Sequence, residues 1–275
     1  MMVPASSYTV QPGDTLFSIA RRVGTSVSEL AALDNLDDPA SIRAGQVLQL
    51  EGTGPVAAPT QAPIAGNAAV IWQIPEAGMN VVLTFDAGAD AGFTEQILGT
   101  LRAEGITAAF GITGAWAERY PELLVEIVAD GHDVINHSFN HGSFTGRSSR
   151  TAALTKAERW DQLDRTEAAV SRISGATTVP YFRPPFGDYD DSVNADIGAR
   201  GYSYNVMWTV DSFGWRGISR ADIVERCLSL AMPGAVYILH VGSASQDGPA
   251  LAEIIHGLRD RNYGFIALSD LLDRR

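Results

Sequence analysis

From about residue 68 to the C-terminus, short apolar strand-like runs alternate with helical patterns, and this alternation constrains the fold more than any other feature of the chain. The strand-like runs cover residues 81–85, 108–112, 133–136, 181–182, 204–210, 235–239 and 265–268. Between them, 94–104 sets Ile97, Leu98 and Leu101 on one helical face, and 121–129 does the same with Leu123, Leu124 and Ile127. Segments 157–173, 221–230 and 250–259 continue the series. Strands that alternate with helices bury their apolar faces as a parallel sheet wrapped by helices, either open or closed into a barrel. The fold class is therefore α/β.

Two zones precede this domain. Residues 51–67, EGTGPVAAPTQAPIAGN, are rich in Pro, Ala and Gly and nearly uncharged, the composition of a semi-extended linker. Residues 7–50 form a compact patterned unit. A strand at 7–10 leads into a turn at Pro12-Gly13. Asp14 or Thr15 can cap a helix whose apolar positions are Leu16, Ile19 and Ala20, and Ser26 or Ser28 can cap a second short helix. A last turn at 44–46 opens the strand 47–50. This is a βααβ unit near the lower size limit for a stable fold.

The segment YTVQPGDTLFSIARRVGTSVSELAALDNLDDPASIRAGQVLQL resembles a LysM module over its whole length, most specifically in its opening YTVxxGDTLxxIA and closing GQxLxL. Asp34 stands where that family commonly has Asn. The resemblance implies binding of N-acetylglucosamine chains, in peptidoglycan or chitin, in a groove between the Gly13-Asp14-Thr15 loop and the loop before Gly45. A spacer without binding activity is the bland alternative.

In the larger domain, polar residues cluster just past the strand ends, where a parallel barrel gathers its active site. Asp86, His137, Arg183, Asp211 and His240 each follow an apolar run, and His141 lies four residues after His137. Two imidazoles at that spacing share a face if the segment is helical. With a carboxylate they make a zinc-type site that keeps open positions, the catalytic kind. Two solvated loop histidines are the alternative for the pair taken alone.

From about residue 69 onward the chain resembles the polysaccharide deacetylases of carbohydrate esterase family 4, the NodB-homology type. The matching motifs are Thr84-Phe85-Asp86-Ala87-Gly88, His137-Ser138-Phe139-Asn140-His141, Arg183-Pro184-Pro185-Phe186-Gly187, Trp208-Thr209-Val210-Asp211 and Ile238-Leu239-His240, in the family's order. The resemblance implies a distorted parallel (β/α) barrel of about seven strands and removal of N-acetyl groups from a GlcNAc- or MurNAc-containing polymer. It implies a divalent metal, zinc first, with cobalt or manganese as alternatives, held by His137 and His141. It assigns Asp86 as general base, Arg183 as its orienting partner, the Phe186 N–H as an oxyanion donor, His240 as general acid and Trp208 as a wall for the acetyl methyl group. Pro184 and Trp215 join Gly13, Asp14 and Thr15 as substrate-binding residues. Two positions depart from the family pattern. The second aspartate of TFDDG, a metal ligand, is Ala87, and the second aspartate of DxxDW, which tunes the acid histidine, is Gly214. Asp90 is the candidate replacement ligand, and Asp211 the candidate support for His240.

A net charge of −12 and a pI of about 4.8 argue against a nucleic-acid partner and leave a neutral or cationic polymer as the better fit. No apolar run is long enough to span a bilayer, and residues 1–10 lack the basic and apolar regions of a signal peptide. Secretion or wall association is thus expected from the module, not from a visible leader. The lone cysteine, Cys227, reads as a core residue. Ala87 and Gly214 favour a rival reading, a catalytically silent glycan-binding protein. A metal-free amidohydrolase acting on small cyclic amides is a third.

Overall fold

The computed structural model describes residues 7–11, 19, 30, 33–34, 36, 42–50 and 66–272. The chain divides into two compact units, residues 1–59 and 60–275, with the division inside the stretch expected as linker.

In the first unit, Ser7–Thr9 (β1) pairs antiparallel with Val47–Gln49 (β2), Tyr8 opposite Leu48. Val10, Ile19, Leu30, Leu48 and Leu50 bury together as its core. Both carboxylate oxygens of Asp34 accept the Gln49 N–H, at 3.1 and 3.0 Å, a role that an asparagine carbonyl could also fill. The expected caps at Asp14, Thr15, Ser26 and Ser28, and the Gly13-Asp14-Thr15 loop, lie outside the described residues.

The second unit runs Ala69–Ile71 (β3), Asn80–Ala87 (β4), Thr94–Glu104 (α1), Ala109–Ile112 (β5), Gly114–Arg119 (α2), Pro121–Ala129 (α3), Asp133–Asn136 (β6) and Lys156–Ser174 (α4). It continues with Tyr181–Phe182 (β7), Asp191–Gly198 (α5), Tyr204–Val206 (β8), Val210–Asp211 (β9), Arg220–Ser229 (α6), Val236–His240 (β10), Asp247–Arg259 (α7), Gly264–Phe265 (β11) and Leu268–Leu272 (α8). The strands pair in parallel in the order β3-β8-β7-β6-β5-β4-β10-β9, with β11 also on β4. The sheet curls into an incomplete (β/α) barrel.

β4 shows how the alternation places the site. Val81, Leu83, Phe85 and Ala87 pack with Ile97, Leu101 and Ile254 in the core under the helices. Val82 faces the other way, onto Ile135, Val236 and Ile238. With a side-chain period of two, Thr84 and Asp86 share the face of Val82 inside the curl. The Ala87 side chain therefore points away from Asp86, into apolar packing.

The expected strand 204–210 is two strands at different places in the sheet. Between them Met207 donates its N–H to Ile71 at 2.8 Å and Thr209 donates to Val236 at 2.7 Å. The segment crosses between β3 and β10, and its hydrogen bonds leave one ladder for another. The run expected at 265–268 holds only the end of β11, and Leu268 instead opens α8. β3, α2 and α5 were not expected from the sequence, being short and flanked by small or polar residues. α4 starts where its Thr155/Glu158 capping box ends the preceding loop.

Candidate active site

Arg183 is fully buried and spans the inside of the curl. Its Nη1 donates to Asp86 Oδ1 at 2.7 Å, Nη2 to Thr84 Oγ1 at 2.9 Å and Nε to the Val206 carbonyl at 2.8 Å. Thr84 in turn donates to the Tyr237 carbonyl at 2.5 Å. Every charged or polar head in this set has a partner, which a buried ion pair requires. Burial alone would raise the Asp86 carboxyl, but the Arg183 guanidinium, with the imidazoles of His137 and His240 beside it, outweighs burial and holds the carboxyl below the ordinary range.

His137 and His141 sit on a loop, so the condition under which their spacing would share a helical face is not met. Ser138 and His141 adopt left-handed backbone, at φ 64° and 60°. Side-chain acceptors replace the carbonyls a helix would have used. Asn136 Oδ1 accepts the Ser138 N–H, Ser138 Oγ the His141 N–H, and Gln162 Oε1 the N–H groups of Phe139 and Asn140. The two rings meet edge-on, centroids 4.9 Å apart. His137 Nδ1 lies 2.9 Å from the Arg183 carbonyl, and Nε2 lies 3.4 Å from Asp86 Oδ2. Burial depresses both imidazoles, His141 to about 4 with help from His137, so both are neutral at pH 7.

His240, at the end of β10, is the register partner of Asp86. Its main-chain N–H and its Nδ1 both face Asp247 Oδ2, at 2.8 and 3.3 Å. Burial opposes the imidazolium, but Asp247, Asp86 and Asp211 outweigh it and raise this histidine. The carboxylate in contact with His240 is thus Asp247, not Asp211. Asp211 accepts from the Phe213 N–H at 2.9 Å and from Trp215 Nε1 at 3.4 Å, and burial raises its carboxyl. The sequence reading missed Asp247 because it started the helix at residue 250; an acid opening an apolar helix was the available signal.

Phe186 has left-handed backbone at φ 62°, is half exposed, and sets its ring edge-on to His141 at 4.7 Å. The preceding Pro184 is buried at the turn. Trp208 is nearly buried, with the Arg183 guanidinium 5.8 Å from its ring centre. Trp215 is exposed and packs edge-on to Phe213. Asp90 lies in the loop after β4, where Oδ1 accepts the Ser243 N–H at 2.8 Å and Oδ2 the Ser243 hydroxyl at 2.5 Å. Its carboxylate ties that loop to the one after β10. Among the described residues, no three His, Cys, Asp or Glu side chains converge as a ready metal cage.

A model for polysaccharide deacetylases matches residues 74–205, and one for the LysM domain matches residues 8–51. The peptidoglycan-N-acetylmuramic acid deacetylase PdaA of Bacillus subtilis is 30% identical over 195 residues, 70% of this chain and 71% of that protein. The crystal structure of the Bc1960 peptidoglycan N-acetylglucosamine deacetylase, bound to an N-hydroxybenzamide, superposes with TM-score 0.67 at 26% identity, covering 77% of this chain and 97% of the other. A carbohydrate esterase family 4 pseudoenzyme of Bacillus anthracis, BA3943, superposes with TM-score 0.66 at 26% identity, covering 74% and 69%. The catalytic-domain motifs, the curled parallel sheet and these likenesses agree: the chain belongs to the polysaccharide deacetylase family and carries a LysM domain at its N-terminal end.

Proposed function

We propose that this protein is a metal-dependent hydrolase that removes N-acetyl groups from GlcNAc or MurNAc residues of peptidoglycan or a related polysaccharide, with the LysM domain holding the polymer at the cell wall. The observation that carries this reading is the buried Asp86 carboxylate, fixed by Arg183 at 2.7 Å with its other oxygen 3.4 Å from His137 Nε2.

The donor set suits a cation. A carbonyl only accepts, so His137 spends its Nδ1 proton on Arg183 and presents a lone pair at Nε2 toward Asp86 Oδ2. Two acceptors facing each other call for a cation or a proton between them. His137 and neutral His141 would hold a divalent ion of the zinc, cobalt or manganese kind. Asp90, whose oxygens are engaged by Ser243, would join them only by giving up those bonds. When bound, such an ion supplies Lewis acidity to the acetamide carbonyl and acidifies water.

The protein's own groups supply the rest. Asp86 receives the water proton on Oδ2, since Oδ1 is committed to Arg183. His240 delivers a proton to the leaving nitrogen, so acetamide and water become acetate and a free amine. The Phe186 N–H donates to the oxyanion, and Trp208 walls off the acetyl methyl group. Pro184 and Trp215 border the sugar, while Asp211 anchors the Phe213–Trp215 turn. Gly13, Asp14 and Thr15 would contact the polymer in the LysM groove.

A second reading, a silent glycan-binding protein, draws on the engaged Asp90 and on the family resemblance to a pseudoenzyme. Acetate release from peptidoglycan and chitin oligomers separates the two. The assay is run with chelator and then with zinc, cobalt or manganese restored. Metal-dependent acetate is the expected result. Intact polymer binding without acetate under any ion would overturn the hydrolase reading.

A further inference from the structure

The family pattern that the chain's motifs resemble has an aspartate where Gly214 stands. A Cβ placed on Gly214 would overlap Ser245 Oγ and lie 2.5 Å from Asp247 Oδ1 and 2.6 Å from its carboxyl carbon. The space a side chain at 214 would enter is already filled by a carboxylate arriving from α7. Asp247 is fully buried. Its Oδ2 accepts the His240 N–H at 2.8 Å, His240 Nδ1 at 3.3 Å and the Ser212 hydroxyl at 3.0 Å. Its Oδ1 meets no donor among the described residues. A buried carboxylate with one unsatisfied oxygen is costly, and two of the three bonds on its other oxygen go to one histidine.

We propose that Asp247 is the positioning residue for His240: it holds the Nδ1 proton, leaves Nε2 to face the substrate amide, and takes the place of the aspartate absent at 214. The proposal rests on the deacetylase reading for its purpose, but its geometry stands on Asp247, His240 and Gly214 alone. The carboxylate has moved from the loop after β9 to the start of α7, and glycine at 214 is the space that move requires. Other charged or titratable groups face His240 as well: Asp86 from β4, Asp211 from β9, and His137 and His141 from the loop after β6. Removing Asp247 therefore weakens the preference for imidazolium without abolishing it.

The test is a histidine NMR titration of the full chain, with the pH profile of acetate release measured beside it. In the wild type, neutral His240 is expected as the Nδ1-protonated tautomer; finding the Nε2-protonated form overturns the proposal and needs no variant. In Asp247→Asn, His240 is expected to titrate lower by about 1 unit or more. The alkaline limb of kcat should move with it while KM stays in place. Asp247→Ala combined with Gly214→Asp, and with Ser245→Ala to clear the hydroxyl that meets position 214, should return both toward the wild type. A lower Tm with an unmoved titration and pH profile would make Asp247 merely structural and overturn the assignment. If the wild type releases no acetate yet Asp247→Asn still shifts His240, the positioning role stands and the deacetylase reading falls.

Discussion

The Nδ1 of His137 lies 2.9 Å from the main-chain carbonyl oxygen of Arg183, while the side chain of the same arginine holds Asp86 at 2.7 Å. One residue thus fixes the tautomer of an expected metal ligand and the orientation of the expected base. The sequence explains how: Arg183 directly follows β7, so its carbonyl reaches the neighbouring strand end and its side chain the far side of the curl.

That tautomer makes His137 Nε2 a ligand, and His141 is neutral beside it. Replacing either imidazole by alanine should lower bound metal at least about tenfold, since even losing a partner of a ligand costs that much. Asp90→Ala should keep its metal, because the Asp90 carboxylate is bonded to Ser243. Equilibrium dialysis with zinc decides it. Loss in Asp90→Ala equal to that in His137→Ala would place Asp90 among the ligands.

Arg183→Met leaves the Asp86 carboxylate buried without its counter-charge. Breaking a buried pair in this way should cost about 3–5 kcal/mol in urea unfolding. Arg183→Lys should recover little, because one ammonium cannot serve Asp86, Thr84 and the Val206 carbonyl from a planar fork. A loss under about 1 kcal/mol in Arg183→Met, the range of a surface pair, would contradict the buried-clamp account.

Much of this site was legible in the sequence because strand ends in a parallel sheet are where side chains converge. Asp86, His137, Arg183 and His240 are each placed by a short apolar run read from one dimension. Two things were not legible. The run 204–210 is apolar throughout, and nothing in its pattern says that its hydrogen bonds change partner at Met207 and Thr209. Nor does spacing say that Asp247, on the helix after β10, bends back onto His240. The first depends on closure of the sheet, which brings together segments that no local period relates; the second on the path of the short loop between β10 and α7. The direction of Ala87 was hidden for a simpler reason: β4 extends two residues further than its apolar run suggested, and these two, Asp86 and Ala87, take opposite faces.

Acid should unfold the metal-free domain earlier than its carboxylates alone would dictate. Burial lowers His132, His137 and His141 below the ordinary histidine value, His141 to about 4. The unfolded chain takes up protons near pH ~6.5 that the folded chain refuses. The contribution of these three histidines to stability is therefore full above that pH and falls as the pH drops toward the folded values. For His141 alone the loss, complete near its folded value of about 4, reaches about 3 kcal/mol. Asp86 runs later: its folded pKa is depressed, so its contribution is present above the ordinary carboxylate range and is lost as pH falls through the lower folded value. Thermal unfolding in chelator should show Tm declining from about pH 6.5 downward, and His141→Asn should flatten that decline. A flat Tm between neutrality and the carboxylate range would remove the argument.

Gly111 tests how tightly the base is confined. It lies on β5 as the register partner of Asp86, and a Cβ there would overlap Asp86 Oδ1 and come within 3.2 Å of its carboxyl carbon. The constraint comes from close approach rather than from backbone conformation. In Gly111→Ala the methyl group and the Asp86 carboxylate cannot keep their present positions, so the carboxylate is pushed off its contacts with Arg183 and His137. Overpacking of this kind costs about 1–3 kcal/mol. Acetate release should fall through kcat, since displacing Oδ1 breaks the Arg183 contact that aims the base oxygen Oδ2, whereas polymer binding by the LysM domain should stay unchanged. Gly99→Ala, in α1 with open space around its Cβ, is the control and should leave both unchanged. Equal activity in Gly111→Ala and Gly99→Ala would show that Asp86 can shift without consequence, and its fixed geometry would lose its role in the reaction.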